Sequence, residues 1–361
     1  MATTQPGTGR TTGGPADGAG LRAYLGSFTA AGGQGITTAA VDPETGALTP
    51  LHSTDAVPNP SYLVPDRAGG RLYAVSETPH GAVAAFRLTP EGPDLLAPAV
   101  PVGGADPTHL TLTAGHLVTA NYSSGDVSTL PVRDDGTLDG PARVLAHQGN
   151  GPRTDRQEGP HAHAVLPDPS GRWLLGVDLG TDSVRTYALA PRAARSPCTT
   201  RRPCARQRPR HLAFHPAGHL ACVINELDPT LTLCRWDADR GTLTPLGDLP
   251  AAGRRRGHRP DVPSALVISP DGRFAWAANR GHDSIAVLSL DARAGTATLH
   301  ATVPCGGHWP RDLALHPDGR HLYAANERSG DVTWFTVDRE TGLPVRGGSV
   351  AAPAVSCVVF A

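Results

Sequence analysis

Lysine is missing altogether: in 361 residues the 32 basic side chains are all arginine. That excludes a Schiff-base lysine, a Walker P-loop and a kinase-type lysine. Charge of one sign is not in excess either. The 32 arginines face 33 acidic residues, for a net charge of −1, so there is no basic field of the kind that marks a nucleic-acid partner. No run approaches 18 consecutive apolar residues, which excludes a membrane-spanning helix and leaves no membrane partner expected. Residues 1–20, MATTQPGTGRTTGGPADGAG, lack the apolar core of a secretory signal and read as a disordered polar tail, which points to a cytoplasmic protein. Cysteines number 6, and in that compartment reduced thiols are the default. Cys198 and Cys204 have a spacing that fits no common zinc pattern. A GxSxG nucleophile elbow in a strand–turn–helix context is absent, and so is any amphipathic helix of useful length.

Glycine (42) and proline (35) are abundant, and they punctuate a repeat. The segments NPSYLVPDRAGGRLYAVSE, DPTHLTLTAGHLVTANY, GPHAHAVLPDPSGRWLLGVDL, RPRHLAFHPAGHLACVINE, VPSALVISPDGRFAWAANR and WPRDLALHPDGRHLYAANE follow one plan. Each opens on a proline: Pro60, Pro107, Pro160, Pro209, Pro263 or Pro310. An apolar run, a turn and a second apolar run follow, and the second run ends at Ser76, Asn121, Asp178, Asn225, Asn279 or Asn326. A seventh copy of the second run, LRAYLGSF, ends at Ser27, so successive anchors are 49, 45, 57, 47, 54 and 47 residues apart. A third alternating run and a weaker fourth complete each unit. Four short β-rich runs per unit of about 45–50 residues predict an all-β, seven-bladed β-propeller with four antiparallel strands per blade. The N-terminal unit lacks a first strand, and APAVSCVVFA at the other end reads as that strand, closing the ring and leaving 21–361 as one domain. The basic stretch 191–208, PRAARSPCTTRRPCARQR, falls where the outer strand of the fourth blade belongs. It reads as a solvated loop, an anion-attracting rim or a local reading-frame error.

Strands one and two of a blade form a hairpin, so the start of the first and the end of the second share a face. The residues after the opening prolines are Ser61, Thr108, His161, Arg210, Ser264 and Arg311, a wholly polar ring. Two positions on stand Leu63, Leu110, His163, Leu212, Leu266 and Leu313, which makes His163 a polar intruder in an apolar slot. His161 and His163, at i and i+2 of a strand, point to one side. A second ring follows the anchors: Phe28, Glu77, Tyr122, Leu179, Glu226, Arg280 and Glu327. The anchors themselves are expected to bond turn backbone, with the carboxylate of Asp178 as the exception. Thus His161, His163, Arg210, Glu226, Arg280, Arg311 and Glu327 are expected around one mouth, with Glu77 and Asp178 as further substrate-binding candidates. Three arginines suit a phosphate or carboxylate, and Glu226 or His163 could act as general base. No carboxylate–histidine cluster accompanies the His-x-His pair, so neither a metal nor another cofactor is expected.

At these residues the chain resembles the lactonase family of seven-bladed propellers, which includes propeller-type 6-phosphogluconolactonases and fungal carboxy-cis,cis-muconate cyclases. The pieces that carry the likeness are YLGSFT, NYSSGDV, GPHAHAV, DLGTDSV, PRHLAFHP, INEL, AANRGHDSI and WPRDLALHPDG, in order along residues 21–361. The resemblance implies a metal-free site using a histidine, a glutamate and two arginines. They fall here on His161 or His163, Glu226, Arg210 and Arg280. It also implies a lactone hydrolase acting on a small anionic lactone, 6-phospho-D-glucono-1,5-lactone, in the pentose phosphate pathway. The alternatives are a lactonising cyclase acting on a carboxymuconate and a non-catalytic interaction platform. A monomer or a weak homo-oligomer is expected.

Overall fold

A computed structural model describes residues 20–189, 200–202, 208–251 and 261–361; the tail 1–19 lies outside the described residues, as does most of 191–208. Seven antiparallel sheets form the ring. Six are built from consecutive strands. The seventh combines Val355–Phe360 with Arg22–Ser27, Ile36–Val41 and Leu48–Thr54, so the last strand supplies the innermost position of the first blade, as the truncated first repeat requires. Among the described residues the one helical element is a single turn, Thr29–Ala31. The strand Thr200–Arg202 pairs with Ser183–Ala188, so part of the basic stretch is the outer strand of the fourth blade.

Local chemistry explains why each repeat folds into a hairpin. At the far end of the inner hairpins, Gly171, Gly218, Gly272 and Gly319 all have φ between +68° and +79°, a region that glycine alone enters freely. A polar side chain before each turn accepts its orphan amides. Asp168 takes those of Arg172 and Trp173, His215 takes that of Ala217, and Ser269 takes that of Phe274. Alternate faces of neighbouring blades then close on one another. Trp276, Tyr73, Tyr323, Phe86 and Phe335 are among the largest fully buried side chains, each adding about 1.5–3 kcal/mol of hydrophobic stabilisation.

The feature that shapes the mouth is a register slip near the start of the innermost strands. Pro107 faces Asn121 but His109 faces Ala120, leaving Thr108 bulged. The same slip bulges Arg210, Arg311 and Ser356, and in the fourth blade it bulges His163, between Ala162 opposite Asp178 and Ala164 opposite Val177. A bulge re-aims one side chain without breaking the sheet. The structure therefore corrects the repeat alignment by two residues in this blade. His163, not His161, is the counterpart of Thr108, Arg210 and Arg311. The apolar slot aligned with Leu110 and Leu212 holds Val165, which is fully buried, so His163 is no intruder.

The anchors also differ from expectation. Asn121, Asn225 and Asn326 bond side chains of the next strand: Asp126 and Ser128, Thr230 and Thr232, and Asp331 and Thr333 respectively. Among the described residues, Ser27, Ser76 and Asn279 reach backbone carbonyls, those of Gly35, Pro58 and Ala251.

Candidate functional site

Glu226 follows the anchor of the fifth blade and is buried, yet it collects three guanidinium groups. Arg210 Nε and Arg280 NH2 each lie 2.9 Å from its Oε2, and Arg156 NH2 lies 2.7 Å from Oε1. Burial alone would raise its pKa, but the charges of Arg280, Arg210 and Arg156 outweigh that and hold it down to about 2. Arg210 is brought there by its bulge and tied on its far side to the carbonyl of Ser264. Arg280 donates to the carbonyls of Val262 (3.1 Å) and Pro263 (3.4 Å), and its guanidinium lies 5.5 Å from the ring of Trp309. Burial, and then the charge of Arg280, lower the pKa of Arg210 to about 9, so it stays cationic at neutral pH.

His163 approaches the same carboxylate, with Nε2 3.8 Å from Oε2 of Glu226, while its buried Nδ1 has no hydrogen-bond partner. Burial, reinforced by Arg210 and Arg311, pushes its pKa well below the ordinary value, so the imidazole is neutral. Below it lie His211 and His109, in edge-to-face contacts at 5.5 and 5.4 Å, and Tyr62 4.2 Å from His109. These histidines are also held neutral, first by burial and then by Arg210.

His161 takes another route. Its ring stacks on Tyr122 at 4.6 Å, its Nδ1–H donates to the carbonyl of Tyr122 at 3.0 Å, and its Nε2 lies 3.3 Å from Glu158. The segment carrying it threads between two glycines. A Cβ on Gly125 would overlap the carbonyl of Pro160. One on Gly180 would overlap that of Gly159 and sit 2.6 Å from the His161 nitrogen.

Arg311 belongs to a second cluster, where its NH1 lies 3.2 Å from Glu327, its NH2 lies 3.7 Å from Glu77 and its guanidinium stands 4.8 Å from the ring of Phe28. Burial keeps the Glu77 pKa above its usual value in spite of Arg311. Asp178 joins neither cluster. It is fully buried, accepts from His147 at 2.5 Å and takes the amides of His161 and Thr181 at 3.0 Å. Its place is beneath the histidine segment.

The structure thus brings His163, Arg210, Glu226 and Arg280 into one contact network, sets Arg311, Glu327 and Glu77 in a second, stacks His161 on Tyr122, and leaves Asp178 as a buried support. The repeat comparison did not single out Arg156, Tyr122 or Trp309. Arg156 stands in the connection before the fourth blade, and its one signal was length, since the interval from Asn121 to Asp178 is the longest at 57 residues.

Comparison with known proteins agrees with this architecture. The family described as "Lactonase, 7-bladed beta-propeller" matches residues 22–360. The 6-phosphogluconolactonase of Bacillus subtilis (strain 168) is 33% identical over 348 residues, covering 93% of this chain and 97% of that protein. Among solved structures, a candidate 6-phosphogluconolactonase of Bacteroides fragilis superposes with a TM-score of 0.88 at 31% identity, covering 95% of this chain and 98% of that one. The periplasmic gluconolactonase PpgL of Pseudomonas aeruginosa superposes with a TM-score of 0.87 at 28% identity, covering 94% and 98%. The chain belongs to the lactonase family of seven-bladed β-propellers.

Proposed function

We propose that this protein is a lactone hydrolase whose substrate is 6-phospho-D-glucono-1,5-lactone and whose product is 6-phosphogluconate. The observation that carries the reading is the buried Glu226 carboxylate holding three arginines beside a neutral His163, in a propeller of the lactonase family. Guanidinium groups bind phosphate bidentately, and a cationic wall also favours the negative charge that develops on a carbonyl oxygen under attack.

In the proposed chemistry His163 takes a proton from water as that water adds to the lactone carbonyl. The resulting oxyanion is held by the arginine charge. Collapse breaks the bond to the ring oxygen, which takes the proton back from the imidazolium. Glu226 is committed to three guanidinium groups, so its part is to hold Arg210 and Arg280 in place. A phosphorylated sugar does not cross membranes unaided, so a cytosolic enzyme of the pentose phosphate pathway is part of this proposal. The likeness to a gluconolactonase favours one second reading, in which the lactone carries no phosphate.

The test is ring opening of the phosphorylated lactone and of glucono-1,5-lactone measured above the spontaneous rates, with ring closure of a carboxymuconate run alongside. Turnover highest on the phosphorylated lactone, and lowered roughly 10²–10⁴-fold in a folded His163→Ala variant, is the expected result. No turnover of either lactone, or a His163→Ala variant with unchanged rate, overturns it.

A further inference from the structure

The three arginines on Glu226 are not equivalent. Arg210 and Arg280 are buried, and each is fixed on its other side to carbonyls of the sixth blade. Arg156 comes from a connecting segment, and its side chain is 38% exposed. Besides Glu226 it makes one long bond, 3.3 Å, to the hydroxyl of Tyr122. Its segment is pinned by its neighbour instead. Gln157 is fully buried and donates to the carbonyl of Leu179 at 2.8 Å and to Asp182, while its Oε1 accepts the amide of Arg153 at 3.0 Å. The backbone is therefore anchored while the Arg156 side chain faces solvent, at the mouth, with Glu226 Oε1 as its main partner.

We propose that Arg156 is the specificity-determining residue, a latch on Glu226 that an anionic substrate group draws away. This rests on Glu226 belonging to the lactonase site. With no substrate the guanidinium caps Oε1. A phosphate arriving at the mouth offers two acceptor oxygens in place of one, a better match for the planar fork. The side chain turns to the phosphate and Oε1 is left open towards the lactone, free to accept a sugar hydroxyl or the attacking water. An uncharged lactone has nothing with which to pull Arg156 off, and must react with the cap in place. The same residue thus adds binding energy for the phosphorylated substrate and obstructs the unphosphorylated one.

The experiment compares kcat/KM of wild type, Arg156→Gln and Arg156→Lys on the phosphorylated lactone and on glucono-1,5-lactone, with melting temperature alongside. Removing a charge-assisted bond of about 1.5–3 kcal/mol predicts a roughly 10–150-fold loss on the phosphorylated substrate. Glucono-1,5-lactone should gain several-fold, because the cap is gone. Lysine keeps the charge without the fork and should fall between. Inorganic phosphate should inhibit the wild type more strongly than Arg156→Gln. Changes in the same direction on both lactones, or a rate on glucono-1,5-lactone that does not move, overturn the latch. Glu226→Gln separates this from failure of the site itself. If that variant keeps the wild-type rate per folded molecule, the site assignment is wrong; if it is inactive while Arg156→Gln gives parallel changes, the latch alone is wrong.

Discussion

Replacing Glu226 by glutamine keeps the shape of the side chain and removes the one anion that Arg156, Arg210 and Arg280 share. The cost follows from two independent routes. The carboxyl group titrates near 2 in the folded protein against an ordinary 4.5, a difference of 2.5 pH units. At roughly 1.4 kcal/mol per unit this is about 3 kcal/mol of stability, fully present above pH 4.5 and lost as pH falls through 2. Breaking a buried ion pair by removing one partner typically costs about 3–5 kcal/mol, so the two estimates agree. Denaturant unfolding at pH 7 should therefore find Glu226→Gln about 3–4 kcal/mol less stable than wild type. By pH 3 the carboxylate's own contribution has dropped by more than half by the same linkage, so the gap between the two proteins should narrow by about 2 kcal/mol. Activity of the folded fraction should fall at least 100-fold, because the arginines lose their fixed positions. A stability difference below 1 kcal/mol at pH 7, or one that ignores pH, would refute the electrostatic account of this cluster.

Asp312 should show the opposite pH trend: burial raises its pKa to about 7 from 3.8, so it withdraws stability as pH rises from 4 to 7. Asp312→Asn should then be more stable than wild type at pH 8, by up to roughly 4 kcal/mol, and match it near pH 4, as denaturant unfolding at the two pH values will show. Deleting the strand Val355–Phe360 strips Arg22–Ser27 of its inner partner, so the truncated chain should lose cooperative unfolding and its strand signal in circular dichroism instead of merely shortening. Lactonase activity should survive exhaustive chelation; a loss restored by calcium or zinc would require a metal in the reaction.

The blade count and ring closure were legible because each repeat carries its own punctuation, a proline at the strand entry and a glycine turn at the hairpin end. The missing first strand in the N-terminal unit and the spare one at the other end, APAVSCVVFA, had one economical solution. Within the site, Arg210, Glu226 and Arg280 were readable because ring positions convert sequence offset into spatial neighbourhood. Register at the bulge was not. Pro160 mimics the opening prolines, but the strand partner of Asp178 is Ala162, and a shift of two residues leaves an alternating apolar–polar pattern in step. Asp178 looked like a site carboxylate because burial is invisible in a single sequence. Its partner His147 lies 31 residues away, on no repeat position. Arg156 escaped for the same reason: connections of differing length have no counterparts to align.

The seam of the ring has a consequence for synthesis. Val355–Phe360, the inner neighbour of Arg22–Ser27, is translated more than 300 residues after it, and the two are joined by main-chain bonds from Arg22 to Ala361 at one end and from Phe28 to Ala354 at the other. Six blades can assemble from consecutive chain as it emerges. The first blade must wait through more than 300 residues of elongation with one edge open, and Leu25 waits for Tyr323, Ala325 and Val332 of the seventh blade and Val355 and Val358 of the closing strand, against which it packs. For that interval the nascent protein is an open arc whose strand Arg22–Ser27 has one edge unpaired, a geometry prone to pairing with another nascent chain. Chaperone demand should therefore last until Val355–Phe360 has emerged, and slowing elongation before that strand would prolong the exposed state rather than relieve it.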